Sequence, residues 1–169
     1  MNGAAVLVER DGAVAVVTLN RPERRDALDG KTKTALRGAL EDVAADGSVR
    51  AVLLTGAGGA FCAGQDLAEH AAALRADPAH AFDTVEGDYA PVVRLLAMMD
   101  KPVVAAVNGT CVGAGLALAL ACDLRVLAAR QAVEWGISGR VVPPDDVGEV
   151  ARALATRLTV SDTRIPVAA

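Results

Sequence analysis

Aromatic side chains are scarce in this sequence, which has two Phe, one Trp and one Tyr among 169 residues. Hydrophobic residues still make up 53% of the chain, so Ala, Val and Leu must supply most of a core. Basic residues are not in excess either, because 17 Lys and Arg stand against 21 Asp and Glu. A protein that binds nucleic-acid phosphates needs a basic surface, so we expect no nucleic-acid partner.

Cysteine is also rare, with three residues and no CxxC pair. We therefore expect neither a disulfide framework nor a metal site, and a reducing cytoplasm fits this usage. The first residues, MNGAAVLVERDG, lack the charged start and the long apolar run of a signal peptide.

One stretch, PVVAAVNGTCVGAGLALALAC at residues 102–122, is long and apolar enough to cross a bilayer. The Asn-Gly pair in its middle is a turn signal, and the half before it is rich in β-branched residues. These features favour a buried strand, a turn and a buried helix, so we expect no membrane partner.

Hydrophobic periodicity predicts an α/β fold in one domain. The predicted strands lie at 4–10 and 13–20 (a hairpin about Asp11-Gly12), 50–56, 101–109, 124–129 and 137–142. The predicted helices lie at 30–45, 65–77, 83–100 (limited or kinked by Pro91), 113–123 and 145–158. Residues 131–136 are ambiguous. This alternation is typical of α/β proteins rather than helical bundles.

Glycines cluster after two predicted strands, in TGAGGAFCAGQD (residues 55–66) and NGTCVGAG (residues 108–115). A dinucleotide fingerprint would need a small residue where Phe61 stands, and no GKS or GKT follows for a P-loop. Each cluster ends where a helix begins, and the first N–H groups of a helix lack intrahelical partners. If the N–H groups of Gln65 and Ala114 converged, they would form an oxyanion hole. Ordinary helix-entry turns explain the same glycines, and spacing alone favours that explanation.

Three segments in order, NRPERRDAL, AVLLTGAGGAFCAGQDL and KPVVAAVNGTCVGAGLALALACDLRV, resemble the crotonase (enoyl-CoA hydratase/isomerase) superfamily. The resemblance covers most of residues 5–128, and AVEWGISGRVVPPDDV is similar to a later region of the family. It implies a ClpP/crotonase spiral of ββα units, here shortened. Residues 1–158 would form one acyl-CoA-binding domain, and residues 159–169 would form a frayed tail.

The resemblance also implies a ligand, a coenzyme A thioester, with no separately bound cofactor and no metal. It assigns the oxyanion hole to the backbone N–H groups of Gln65 and Ala114. It implies CoA contacts at Arg25, Ala27, Ala63, Gly64, Gln65, Asp66, Leu67 and Gly113.

The sequence departs from the family's pattern at its acid–base residues. Ala117 stands where hydratases of the family carry one catalytic glutamate, and Asp26 replaces the usual Asn. The second glutamate normally follows the CDLRV strand, but several dozen residues are missing near Gln131. The helices that often build trimers and cover the acyl pocket are mostly missing too. The sequence therefore does not decide whether a homo-oligomer of the trimer type still forms.

Other titratable residues could supply the missing chemistry, although each has a plainer explanation. Glu134 lies beside the shortened junction and is our candidate acid or base, but a solvated helix-end carboxylate is the commoner case. His70 and His80 flank a polar loop and titrate in a useful range, yet surface histidines are ordinary.

The remaining candidate residues are better explained by structural roles. Cys62 and Cys111 lie near the glycine clusters without a base adjacent in sequence, so buried packing is favoured over a nucleophile. Asp123 would end a helix or pair with Arg125, and Trp135 would pack rather than stack on adenine.

We therefore hypothesise an enoyl-CoA hydratase/isomerase-like protein of fatty acid metabolism that acts through an enolate. The alternative is a shortened, non-catalytic paralogue that binds CoA esters or associates with full-length relatives. A gene fragment that folds poorly alone is a third explanation.

Overall fold

A computed structural model describes residues 3–127 and 140–160 of the chain. The strands are β1 (Val6–Asp11), β2 (Val14–Leu19), β3 (Ala51–Gly56), β4 (Ala60–Cys62), β5 (Val103–Val107), β6 (Thr110–Cys111), β7 (Leu124–Leu127) and β8 (Arg140–Val141). The helices are α1 (Gly30–Ala45), α2 (Leu67–Ala76), α3 (Ala90–Met98), α4 (Ala114–Ala121) and α5 (Val147–Leu158). Short 3₁₀ turns lie at Pro22–Arg24 and Pro144–Asp146, and a π turn at Val85–Tyr89 leads into α3.

The described strands form a main sheet in the order β1-β2-β3-β5-β7-β8 and a small sheet of β4 and β6. The β1–β2 pair is the antiparallel hairpin that Asp11-Gly12 predicts, and Gly12 takes a φ of 58° in its turn. The neighbouring pairs from β2 to β8 are parallel. Helical connections between parallel strands confirm the α/β prediction.

The chain repeats one plan, in which a strand of the main sheet is followed by a short strand and then a helix. β3, β4 and α2 form one such unit, and β5, β6 and α4 form the next. The short strands pair with each other in parallel, which brings the two glycine clusters together. The sequence predicted the repetition but not β4 and β6, because two or three residues among glycines carry no strand periodicity.

Two apolar clusters lie on opposite faces of the main sheet. Along β2, Ala15 and Val17 point to the cluster that includes residues of α1, α3 and α4, whereas Val14 and Val16 point to the other. The second cluster is covered by α5 through Val147, Ala151 and Ala155, which recur every four residues on one face of that helix.

The apolar stretch at residues 102–122 is divided among β5, β6 and α4, as the Asn-Gly signal predicts. Within residues 3–127 and 140–160, no helix is long and apolar enough to cross a membrane. The predicted helices at 30–45 and 145–158 match α1 and α5, and Pro91 lies in the first turn of α3. The predictions for residues 131–136, the junction at Gln131 and the tail from residue 161 fall outside the described residues.

Candidate functional site

The two glycine clusters are in direct contact. Gly64 has a φ of 87°, in the left-handed region that favours glycine. A Cβ atom added to Gly64 would lie 3.0 Å from the carbonyl oxygen of Val112 and 3.2 Å from the nitrogen of Ala114. Gly113, with a φ of 55°, precedes Ala114 directly. A side chain at Gly64 would therefore press against the backbone before α4 and would be strained by the positive φ.

The peptide between Gly64 and Gln65 is held through its carbonyl. The oxygen of Gly64 accepts a 2.7 Å hydrogen bond from the N–H of Leu28. Because C=O and N–H point in opposite directions in a trans peptide, the N–H of Gln65 points away from Leu28. That N–H donates to none of the residues that the structure describes.

The second N–H belongs to Ala114, the first residue of α4. The preceding carbonyl, that of Gly113, accepts a hydrogen bond from Ala117 N–H at 3.2 Å and so points along the helix. The N–H of Ala114 points out of the helix start, where the helix carries partial positive charge. It too finds no acceptor among residues 3–127 and 140–160.

The residues expected at a CoA site are brought together beside Gln65. The Ala63 N–H donates to the carbonyl of Arg25 at 2.9 Å, and the Asp66 N–H donates to the carbonyl of Leu28 at 3.0 Å. Segments 25–28 and 63–66 thus run side by side, linked by a parallel bridge between Leu28 and Gln65. The Arg25 side chain is exposed, Ala27 is buried, and Leu67 opens α2 with 77% of its surface exposed.

Arg21 joins these two segments, a role that sequence reasoning missed. Its guanidinium donates to the carbonyl of Ala27 at 2.6 Å and pairs with Asp66 and Asp29, each at 3.2 Å. Asp66 also accepts hydrogen bonds from the first N–H groups of α2, so Arg21 ties segment 25–28 to the start of that helix. The NRPERRDAL motif contains Arg21, but its contact with Asp66 spans 45 residues and no local pattern predicts it.

Asp26, which replaces the family's usual Asn, is fully buried. Its Oδ1 accepts a 2.7 Å hydrogen bond from the N–H of Arg21, whereas Oδ2 is the one buried side-chain oxygen without a partner in the described part of the chain. Burial raises the pKa of Asp26 to about 6, and the nearby Glu23 adds to the rise, against the hydrogen bond from Arg21. A buried carboxyl with a raised pKa therefore lies within segment 25–28, which runs beside Gln65.

Tyr89 contacts the side chain of Gln65, Lys33 contacts Tyr89, and sequence reasoning missed both. The Tyr89 hydroxyl donates a hydrogen bond to Oε1 of Gln65. The Lys33 ammonium lies 5.1 Å from the centre of the Tyr89 ring and 3.2 Å from the Asp88 carboxylate. Only 4% of the Lys33 side chain is exposed, which is unusual for lysine. This burial marks Lys33 as a residue of interest, and it is visible only in the structure.

The other candidate residues make contacts of their own, offer no titratable group or lie outside the described residues. Glu134 and Trp135 lie outside the described residues. Ala117 is exposed in the first turn of α4, where it offers no titratable group. His80 bonds to Asp77 at 2.7 Å in an exposed loop, and the ring of His70 packs edge-on against Phe82.

The surroundings of the cysteines and of Asp123 explain these residues by packing and backbone hydrogen bonds. Burial raises the pKa of Cys62 to about 11 and that of Cys111 to about 12, so both thiols stay protonated and unreactive. Asp123 accepts a 2.7 Å hydrogen bond from the N–H of Val103 at the start of β5. Arg125 donates to carbonyls at the end of α4, including that of Cys122 at 2.6 Å.

Comparison with known proteins places these features in a family. The model of the enoyl-CoA hydratase/isomerase family matches residues 9–133. The chain is 42% identical to 1,2-epoxyphenylacetyl-CoA isomerase of Escherichia coli, in an alignment that covers 75% of this chain and 48% of the isomerase. It is also 31% identical to 4-chlorobenzoyl coenzyme A dehalogenase-1 of an Arthrobacter species. That alignment is 202 residues long, and it covers 91% of this chain and 73% of the dehalogenase.

Among solved structures, the carnitinyl-CoA hydratase of Mycobacterium avium is similar with a TM-score of 0.79 and 34% identity, over 95% of this chain and 77% of that one. The chain spans about half the length of the first curated relatives that it matches. The crotonase fold expected from the sequence is thus confirmed, and the chain belongs to the enoyl-CoA hydratase/isomerase family.

Proposed function

We propose that this chain binds an acyl-CoA thioester and polarises its carbonyl between the N–H groups of Gln65 and Ala114. One observation carries the proposal: these N–H groups make no hydrogen bond within the described residues and come from two backbones in contact. A thioester oxygen is an acceptor that two such donors suit. Donors fixed in advance at the point where negative charge develops are a main source of enzymatic rate enhancement.

The chemistry that follows is enolate formation. In isomerisation a proton leaves the carbon next to the thioester carbonyl, and in hydration water adds to the β-carbon of the double bond. In both cases an electron pair moves through the α-carbon onto the carbonyl oxygen to give an enolate, and the enolate carbon chain is then protonated. The N–H groups of Gln65 and Ala114 would stabilise that negative charge, and the start of α4 would add its partial positive charge. Hydration or isomerisation of an enoyl-CoA is the reaction we propose for this site.

The CoA moiety would lie along segments 25–28 and 63–67. Arg25 has an exposed guanidinium, suited to the CoA phosphates, and its backbone is fixed by the hydrogen bond from Ala63. The left-handed conformations of Arg25 and Asp26, with φ of 51° and 56°, show that this turn is held in place by its surroundings.

The two candidate functions differ in whether the chain carries out acid–base catalysis. We propose Glu134 as the acid or base of an active enzyme. The exposed Ala117, which has no carboxylate to offer, favours the second candidate, a protein that binds CoA esters without turnover.

The first experiment is isothermal titration calorimetry with crotonyl-CoA, with free CoA as the reference injection. Saturable binding followed by continuing heat supports an enzyme, and Glu134→Gln should then abolish the continuing heat but not the binding. Saturable binding without further heat supports the binding protein. A folded chain that binds free CoA and crotonyl-CoA equally would contradict carbonyl recognition.

A further inference from the structure

Tyr89 contacts the residue that carries one of the two proposed donors. Its hydroxyl donates to the side-chain Oε1 of Gln65, and its ring is half-buried. The Gln65 backbone is held by the hydrogen bonds that link Leu28 to Gly64 and Asp66. The Tyr89 hydroxyl adds a hydrogen bond to the side chain of Gln65, so this residue is also attached to the π turn that leads into α3.

The position of Tyr89 depends on an irregularity in its helix. Residues Val85–Tyr89 form a π turn, and the N–H of Ala90 bonds to the carbonyl of Val85, five residues back. Such turns add one residue to the helical repeat and so change which side chains share a face. Here the turn places both Asp88 and Tyr89 against Lys33 of α1.

Lys33 fixes the ring from the side of α1. Its ammonium lies 5.1 Å from the ring centre, pairs with Asp88 at 3.2 Å and bonds to Thr84. Glu69, which lies 3.8 Å from Lys33, accepts from the N–H of Gly30 and so joins α2 to the start of α1. The ring is thus held by contacts to side chains of α1 and to the π turn, and its hydroxyl is directed at Gln65.

The protonation state of Tyr89 suits a donor. Burial raises the pKa of Tyr89 well above its usual range, and the nearby Cys62, Glu69 and Asp88 add to the rise. The phenol is therefore neutral at neutral pH, so it donates a hydrogen bond and does not act as a base.

We propose that Tyr89 is a positioning residue, which holds Gln65 so that its backbone N–H stays directed at the thioester carbonyl. The inference rests on the proposed acyl-CoA function and adds a residue to it. Tyr89 acts through Gln65 and need not touch the substrate.

The first test measures carbonyl polarisation directly. Crotonyl-CoA labelled with ¹³C at the thioester carbonyl is bound to the wild type and to Tyr89→Phe, and the infrared stretch of the bound carbonyl is compared with that of the free ligand. The wild type should shift the band to lower frequency, and Tyr89→Phe should lose part of that shift. If turnover is present, kcat should fall by a factor of about 3 to 10, the value of one neutral hydrogen bond, with KM unchanged.

The second test follows the tyrosine itself, and its first two measurements need no ligand. Tyr89 is the only tyrosine in the chain, so protein labelled with ζ-¹³C-tyrosine gives one resonance. Gln65→Leu should shift that resonance. Tyr89→Phe should lower the free energy of unfolding by no more than the value of one hydrogen bond. The double variant Gln65→Leu/Tyr89→Phe should polarise the carbonyl no less than Gln65→Leu alone.

The outcomes separate the two proposals. Equal band shifts in the wild type and Tyr89→Phe would overturn the role of Tyr89 and leave the two N–H donors intact. An unchanged tyrosine resonance in Gln65→Leu would overturn the hydrogen bond itself. A wild type that binds crotonyl-CoA without any band shift would overturn the proposed function, and the role of Tyr89 with it.

Discussion

At the scale of single residues, Asp26 is the clearest source of pH dependence. Its folded-state pKa of about 6 lies above the value of 3.8 that it has when unperturbed. Between these values the folded chain binds the proton more tightly than the unfolded chain, so Asp26 makes the protein less stable as pH rises from 4 to 6. Asp26→Asn should therefore raise the free energy of unfolding at pH 7 by about 1–3 kcal/mol, and the gain should vanish near pH 4.

Asp29, three residues away, is the matched control for this prediction, measured by urea unfolding at several pH values. Partial burial raises the pKa of Asp29, but hydrogen bonds from Thr32 and the charge of Arg21 outweigh this effect and lower the pKa overall. Asp29→Asn should therefore destabilise the protein at neutral pH, with an effect that fades as the pH falls. If both variants shifted stability in the same direction, burial of a charge at Asp26 would not be the cause.

Sequence reasoning located residues that the structure brings together where the pattern is local, and their roles stay predictions. Gln65, Ala114 and Arg25 lie in motifs whose glycines and turns are local, and the structure brings these residues together. Tyr89 and Lys33 depend on contacts across 24 and 51 residues in sequence, so no spacing rule predicts them. The partnerless oxygen of Asp26 likewise appears only once the neighbouring segments are in place.

At the scale of elements, the start of α4 offers a direct test of a backbone donor. Ala114 is the first residue of that helix, where proline is tolerated because the N–H there has no intrahelical partner. Ala114→Pro should therefore remove one proposed donor with little change in stability. In an active enzyme the expected loss in kcat is about 10²–10³.

The reference variant for this experiment is Ala114→Ser, which alters the side chain and retains the N–H. Binding of crotonyl-CoA by calorimetry and thermal unfolding should be measured for both variants. A loss in Ala114→Pro that Ala114→Ser fully shares would assign the effect to the side chain. An unfolded Ala114→Pro would show that the helix start does not tolerate proline.

Elements with a clear hydrophobic period were predicted from sequence, and those without one were not. α1 was predicted with its observed bounds, because Leu36, Leu40 and Val43 recur at helical spacing and are all buried. β4 and β6 were missed, although they align the two glycine clusters. Their pairing depends on strands that lie about 50 residues apart, which is a tertiary effect that local patterns do not contain.

At the scale of the whole molecule, both faces of the main sheet carry a buried core, but only one of them supports the candidate site. The cluster under α5 contains no residue of either glycine cluster, and two of the three fully buried residues that the helix contributes are alanines. Ala151 and Ala155 are fully buried, so a larger or charged side chain at either position would have to displace its neighbours. The opposite cluster contains Leu28, Phe61 and Cys62, which support the segments beside Gln65.

This division predicts that damage under α5 destabilises the fold without altering the ligand affinity of the folded protein. Ala151 is fully buried against the sheet, whereas Ala153 is exposed on the same helix. Ala151→Asp should lower the free energy of unfolding by about 3–5 kcal/mol, because an uncompensated charge is buried, and Ala153→Asp should change it little. Urea unfolding measures the loss, and calorimetry at low temperature measures affinity in the folded fraction. An Ala151→Asp protein that stays folded yet binds crotonyl-CoA more weakly would show that the two faces are coupled, because the charge would then act on the site through the sheet.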